Sequence, residues 1–95
     1  MNYIQEVKEM LDEKLKMSGT EYEDLLEVYT LLVLIKGIDC TNEDVHDAWS
    51  VWQNKIDPTH QSLTFFEGLT EEVQELDSKY RDAIITVSNN LIRLT

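Results

Sequence analysis

Residues 45–77, VHDAWSVWQNKIDPTHQSLTFFEGLTEEVQELD, hold both tryptophans, both histidines, the only proline and both phenylalanines of a 95-residue chain. Aromatic rings and titratable imidazoles concentrated in this way need a core or a site to hold them. The first part of the stretch has helical spacing. At about 100° per residue, Val45, Trp49, Trp52 and Ile56 fall in one narrow arc, and both tryptophans are expected to face inward. The pattern stops at Asp57-Pro58, because the residue before a proline is pushed out of the helical region. From Thr59 to Gly68 no period is sustained, and a loop pinned by Leu63, Phe65 and Phe66 is expected. Thr70 then caps a last helix, with Glu71 and Glu72 in its positive first turn.

Working outward, Thr41 caps the helix that carries the tryptophans, with Glu43 and Asp44 in its first turn. Upstream, Thr20 to Glu23 has the form of a capping box, opening a helix that stops at Gly37. Its inner stripe is Tyr22, Leu25, Leu26, Tyr29, Leu32 and Val33. Leu31, Leu34 and Ile35 lie on the opposite side, so this helix is apolar nearly all round. It is expected to sit centrally and to turn its back face to another subunit, which predicts a homo-oligomer. The first helix is expected to run from the cap Asn2 to about Met17, burying Ile4, Val7, Leu11 and Leu15 and ending at Ser18-Gly19. The last carries Val73, Leu76, Tyr80, Ala83, Ile84, Val87, Leu91 and Leu94. The fold class read from this pattern is all-α. The architecture is a compact single-domain bundle of about four helices over residues 1–95, with one long aromatic-rich loop before the last.

Composition narrows the functional classes. Hydrophobic residues are 42% and charged residues 28%, a folded composition. The net charge of −11 repels phosphate backbones, so direct binding of nucleic acid is not expected. A small-ligand site set by a few residues is compatible with that charge, as is an acidic surface that engages another protein. Cys40 is the only cysteine, so no intrachain disulfide can form and a cytoplasmic setting is expected. The N-terminus has no basic start followed by an apolar run, so no signal peptide is expected. The longest apolar run, near Leu31 to Ile35, is too short to cross a bilayer, so no membrane association is expected.

The informative residues are polar groups in apolar places. His46 and Gln53 flank the tryptophan arc, with Asn42 between them and its centre. Lys36 projects into the inner stripe of the second helix, either snorkelling over its last carbonyls or presenting an ammonium at a pocket rim. Asp77 lies at the edge of the last stripe, four residues before Arg81 and so able to pair with it. Asn90 lies within that stripe, as a core amide or a pocket group. Together they suggest a semi-polar cavity walled by aromatics, suited to a planar, anionic, base-containing ligand. Trp49, Trp52 or Phe65 would stack the base, with Tyr80 beside them. His46, Gln53, His60 and Asn90 would supply hydrogen bonds, and Lys36 and Arg81 charge. The bland reading of each residue, a satisfied core or a solvated pair, stands beside this one.

Catalytic and cofactor motifs are absent. There is no H-E-x-x-H, Walker loop, G-x-G-x-x-G or G-x-S-x-G. Cys40, His46 and His60 have no recognised zinc spacing. No nucleophile stands beside a base, although His46, His60 and Asp77 would make an acid–base group if they met. The chain is therefore read as a binding protein without a cofactor rather than an enzyme.

The order H-x-x-W (His46, Trp49), H-x-S-L (His60 to Leu63), an aromatic (Phe66), Leu69 and Asp77 resembles the ryanodine-receptor repeat domain over about residues 43–87. It departs from that pattern in three places. The Gly-Trp-x-Tyr-Gly segment between the histidines is missing, Phe65 replaces a proline, and Ser78 replaces the basic partner after the acidic residue. Lys36-Gly37 with Asp44 to Trp49 (D-V-H-D-A-W) is also similar to small phage and bacterial proteins. Bacterial domains of this kind stand beside immune and signalling modules. The resemblance implies binding of a nucleotide-derived signalling molecule, in a phage setting as a decoy that sequesters a host defence messenger.

Overall fold

The computed structural model describes residues 2–17 and 19–91. Ser18, expected at the end of the first helix, and Leu94, at the end of the last stripe, lie outside them. The described residues form five α-helices: α1 Tyr3–Leu15, α2 Glu23–Ile35, α3 Asn42–Ile56, α4 Glu71–Glu75 and α5 Ser78–Asn90. No strand occurs among the described residues, so the fold is all-α as expected.

Helix α1 starts where its cap predicts, with Asn2 Oδ1 accepting the Gln5 N–H at 2.9 Å. Val7, Leu11 and Leu15 are buried, while Ile4 remains exposed. The helix ends earlier than the glycine suggests. Lys16 takes the left-handed conformation (φ 55°), and its N–H donates to the Asp12 carbonyl at 2.7 Å. The Asp12 carboxylate accepts the next N–H, from Met17, at 3.1 Å. Two hydrogen bonds to one residue offset the steric cost of a positive φ on a lysine.

The capping box expected at Thr20 does not form. Thr20–Tyr22 is instead a 3-10 turn, and α2 begins at Glu23 with no side-chain cap. Across the helix pair, Lys8 of α1 reaches Glu23 and Glu27 of α2 at 3.3 and 3.4 Å. Helix α2 is central as predicted, packing against α1, α3 and α5. Leu25, Leu26, Tyr29, Leu32 and Val33 are buried on one side. On the other, Leu31 and Ile35 are 53% and 64% exposed. The helix stops at Gly37, whose φ of +56° a β-carbon would strain, and which faces Ser88 of α5.

A true capping box forms at α3. Thr41 Oγ1 accepts the Asp44 N–H at 3.2 Å, and Asp44 Oδ2 accepts the Thr41 N–H at 3.0 Å. The Asp44 carboxylate also pairs with Lys36 at 3.6 Å, tying the end of α2 to the start of α3. After Ile56, Asp57 closes a turn over Pro58 by accepting the Thr59 N–H (3.1 Å) and O–H (2.6 Å). These bonds hold the exposed Asp57 carboxyl below the usual carboxylate range.

The loop that follows is pinned differently from the expectation. Phe65 is 80% exposed and holds nothing down. Two polar side chains fix the segment instead. The His46 Nε2 lies 2.7 Å from the Thr64 carbonyl, and Gln74 Nε2 donates to the carbonyls of Phe66 (2.9 Å) and Leu69 (3.2 Å). The expected last helix is broken into α4 and α5. Between them Leu76 N–H and Asp77 N–H donate to carbonyls three residues back, Val73 and Gln74. A 3-10 turn winds about 20° more per residue than an α-helix, so the face of α5 slips in phase relative to α4. Asn42 of α3 spans the break, its Nδ2 donating to the Gln74 carbonyl (3.4 Å) and Ser78 Oγ (3.3 Å).

Candidate functional site

The break, the pinned loop and the tryptophan face of α3 meet around one cavity of about 460 Å³. Its walls come from α2, α3, α4, α5 and the turns and loop beside them, and not from α1. Helix α2 and the turn before it give Tyr22, Leu25 and Tyr29. His46, Trp49 and Trp52 come from α3, and His60 and Ser62 from the loop. Val73, Leu76, Asp77 and Tyr80 close the remaining side. The volume falls within the roughly 300–1,000 Å³ usual for ligand pockets.

The rings are ordered against one another. Trp49 stacks on His46 with centroids 5.9 Å apart, and His60 meets Trp49 edge-on at 5.2 Å. Phe66 backs His46 at 6.1 Å, Tyr22 leans on Trp52 at 6.2 Å, and Tyr29 on Tyr80 at 5.4 Å. Spacing three apart on α3 places His46 and Trp49 side by side, and the loop brings His60 back over them.

Hydrogen bonding assigns the imidazole tautomers. A carbonyl only accepts, so His46 donates through Nε2–H to Thr64, which leaves Nδ1 as the acceptor of the neutral ring. His60 Nδ1 accepts the Ser62 N–H at 3.0 Å, which leaves its Nε2–H as a donor. His46 is only 3% exposed, deeper than the stripe edge predicts, because the loop folds over it. Asp77 is half-buried, and burial pushes its carboxyl above the usual range, with the nearby His46 ring opposing the shift. Burial likewise raises the Tyr29 hydroxyl, helped by Tyr80 and Asp77. Among the described residues no lysine or arginine lines the cavity, and Asp77 is its acidic group.

The structure therefore brings together His46, Trp49, Trp52, His60, Asp77 and Tyr80, and separates the other sequence candidates from them. Lys36 is partly exposed and paired with Asp44, beside a different, apolar groove. Arg81 turns to its neighbour Asp82 at 2.9 Å instead of pairing with Asp77. Asn90 is exposed, and Phe65 stands in solvent on the far side of the loop. Gln53 is half-buried but does not line the cavity, and Ile56, read as part of the arc, is exposed. The phase slip at Leu76–Asp77 accounts for Arg81 and Asn90, which a single continuous helical wheel puts on the wrong side. Tyr22 and Tyr29 are lining residues that sequence reasoning assigned only to packing. Their position on the inner stripe of α2 was legible, and their hydroxyls were the overlooked signal.

A second hollow of about 420 Å³ lies between α1 and the turn before α2, lined by Lys8, Asp12 and Glu23 among others. Those groups already satisfy one another and the α1 terminus, which makes it a structural crevice. Cys40 is buried, and burial pushes its thiol up to about 11, the environment of an inert cysteine. Among the described residues, no group of three or more His, Cys, Asp or Glu side chains is arranged to hold a metal ion. No helix of the described residues is long and apolar enough to cross a membrane.

Fold and cavity together define a small all-α protein with an aromatic-walled hollow between α2, α3 and the α4–α5 break. A family model described as "Domain of unknown function (DUF7701)" matches residues 2–89, and the chain belongs to that family. No curated protein and no solved structure matches the chain.

Proposed function

We propose that this protein binds a small nucleotide-derived molecule, taking its planar base into the cavity and leaving the phosphates in solvent. The observation that carries this reading is the convergence of both tryptophans, both histidines, Asp77 and Tyr29 on one hollow. A planar heterocycle matches such a site, because the ring faces stack on indole and phenol while its edge exchanges hydrogen bonds. The lining offers acceptors at Asp77 and His46 Nδ1, and donors at His60 Nε2–H, Tyr29 O–H and the indoles. Among the described residues the lining holds no lysine or arginine, which supports a base held inside and an anionic end held outside. The likeness to the ryanodine-receptor repeat domain points to the same ligand class, as sensor or as phage decoy.

Binding without turnover is the expectation, with intact ligand recovered after denaturation. His46 supports it, since the imidazole nitrogen that carries its proton is committed to the Thr64 carbonyl. Isothermal titration against nucleosides, cyclic di- and trinucleotides and ADP-ribose derivatives tests the reading. Micromolar or tighter binding of at least one supports it, and no binding by any at high micromolar concentration removes it.

A protein-interaction role is the second reading, favoured by a different observation. Leu31, Ile35 and Val51 are exposed around an apolar groove of about 340 Å³ between α2 and α3, rimmed by Asp44 and Asp47. A second copy packing on this face would give the homo-oligomer expected from the two-sided α2. Light scattering at high protein concentration that finds only monomer removes that assignment.

A further inference from the structure

The hydrogen-bond inventory of the cavity narrows the ligand further, an inference that rests on the base-binding reading above. With His46 Nε2–H and His60 Nδ1 committed to Thr64 and Ser62, each imidazole has one nitrogen left to address a ligand. Asp77 makes no ion pair among the described residues, and its neighbour Arg81 is turned away to Asp82. We propose that Asp77 selects a guanine-type edge, its two carboxylate oxygens receiving the adjacent ring N–H and exocyclic amino group of the base.

The chemistry separates this edge from its competitors. A carboxylate only accepts hydrogen bonds, so two neighbouring donors suit it in a bidentate arrangement. An adenine-type edge sets a donor beside a ring-nitrogen acceptor, whose lone pair would face a carboxylate oxygen unless Asp77 carried a proton. A quaternary ammonium would suit the aromatic walls and the acid, but would leave His46 Nδ1, His60 Nε2–H and the Tyr29 hydroxyl without partners. A phosphate finds no lysine or arginine in the lining among the described residues. The carbonyl next to the guanine ring N–H instead meets donors that the cavity already has, the His60 N–H and the Tyr29 hydroxyl.

The two base edges have opposite pH signatures. The titratable groups that share the cavity lining with Asp77 are His46 from α3, His60 from the loop, Tyr29 and Tyr22 from the α2 side and Tyr80 from α5, with His46 and Tyr29 interacting with it electrostatically. Burial moves the range over which the Asp77 carboxyl takes up a proton above its ordinary one. A guanine edge needs the ionised carboxylate and is released as pH falls through that range. An adenine edge needs the protonated form and is gained.

Calorimetric titration of the full chain with guanosine, inosine, adenosine and cytidine, at pH 7 and at pH 4.5, tests the assignment. Guanosine is expected to bind best, with inosine, which lacks the amino group, at least about tenfold weaker. Asp77→Asn is expected to weaken guanosine about tenfold or more while a circular dichroism melt shows it folded, and guanosine affinity is expected to fall at pH 4.5. Adenosine or cytidine binding as tightly as guanosine overturns the guanine assignment and leaves the base-binding reading standing. Unchanged guanosine affinity in folded Asp77→Asn does the same. Absence of binding by all four nucleosides overturns the guanine assignment, and a positive result with any larger nucleotide of the earlier panel then keeps the base-binding reading.

Discussion

The two sides of α3 break the usual rule of apolar inside and polar outside in opposite directions. Towards the loop, the helix buries polar groups: His46 is enclosed, and Asp77 and Tyr29 face it across a hollow. Towards solvent, it joins α2 in exposing Val51, Leu31 and Ile35 around an acidic-rimmed groove. The first departure costs folding free energy, since desolvated polar groups are expensive unless paired. The second costs little, because exposed apolar atoms are common on folded surfaces. Polar groups gathered in a cavity therefore say more about function than apolar ones left outside.

Substitutions can break or sharpen that contrast. The largest effect is expected on the cavity side, where Trp49→Ala should cost about 3 kcal/mol of stability by urea unfolding and abolish ligand binding. The matching change across the helix, Val51→Ala, should stay within about 0.5 kcal/mol. Comparable costs for the two would erase the difference between the sides. Next comes His46→Ala, which removes a buried ring and the bond to Thr64. A loss of about 2 kcal/mol is expected, with proteolytic cleavage appearing between residues 58 and 69.

Asp77→Asn should go the other way. Its carboxyl is raised in the fold above the unfolded value of about 3.9, so the native state binds the proton more tightly and stability falls as pH rises through the raised value. At pH 7 the ionised group is a burden, and the amide should raise Tm by about 1–3 °C. That gain should vanish below about pH 4, where both states carry the proton. A stabilising change that destroys binding would mark Asp77 as kept for function. The smallest effect on stability belongs to the groove. Leu31→Asp with Ile35→Asp should move the unfolding midpoint by less than about 0.5 kcal/mol while converting any oligomer to monomer by light scattering.

How far the sequence could be read follows the range of the interactions involved. The caps at Asn2, Thr41 and Thr70 depend on three residues each and appear as expected. The stop at Gly37 is equally local, as is the two-faced α2. At Thr20 the same local rule fails, because a 3-10 turn takes up the residues that the box would use. The cavity was half legible: spacing gave the tryptophan face of α3, and composition flagged both histidines. Lys36 and Arg81 were assigned to it by wheel projection, which knows nothing of Asp44 and Asp82 as nearer partners. The break at Leu76–Asp77 depends on Gln74 holding loop carbonyls and Asn42 spanning the junction, contacts up to 36 residues apart. No local pattern encodes those.

The Asp44 carboxylate has a kinetic consequence. It closes the α2–α3 connection from both ends, through the Thr41 N–H and the Lys36 ammonium, using residues at most eight apart in sequence. Contacts that close short loops form early, and those that fold a long loop back over a helix form late. The α2–α3 hairpin is then expected to fold first and open last, with the segment from Asp57 to Thr70 laid on afterwards. Amide exchange should show that segment opening while Leu32, Val33 and Val45 stay protected, so that a ligand could enter and leave by sub-global opening without unfolding the protein.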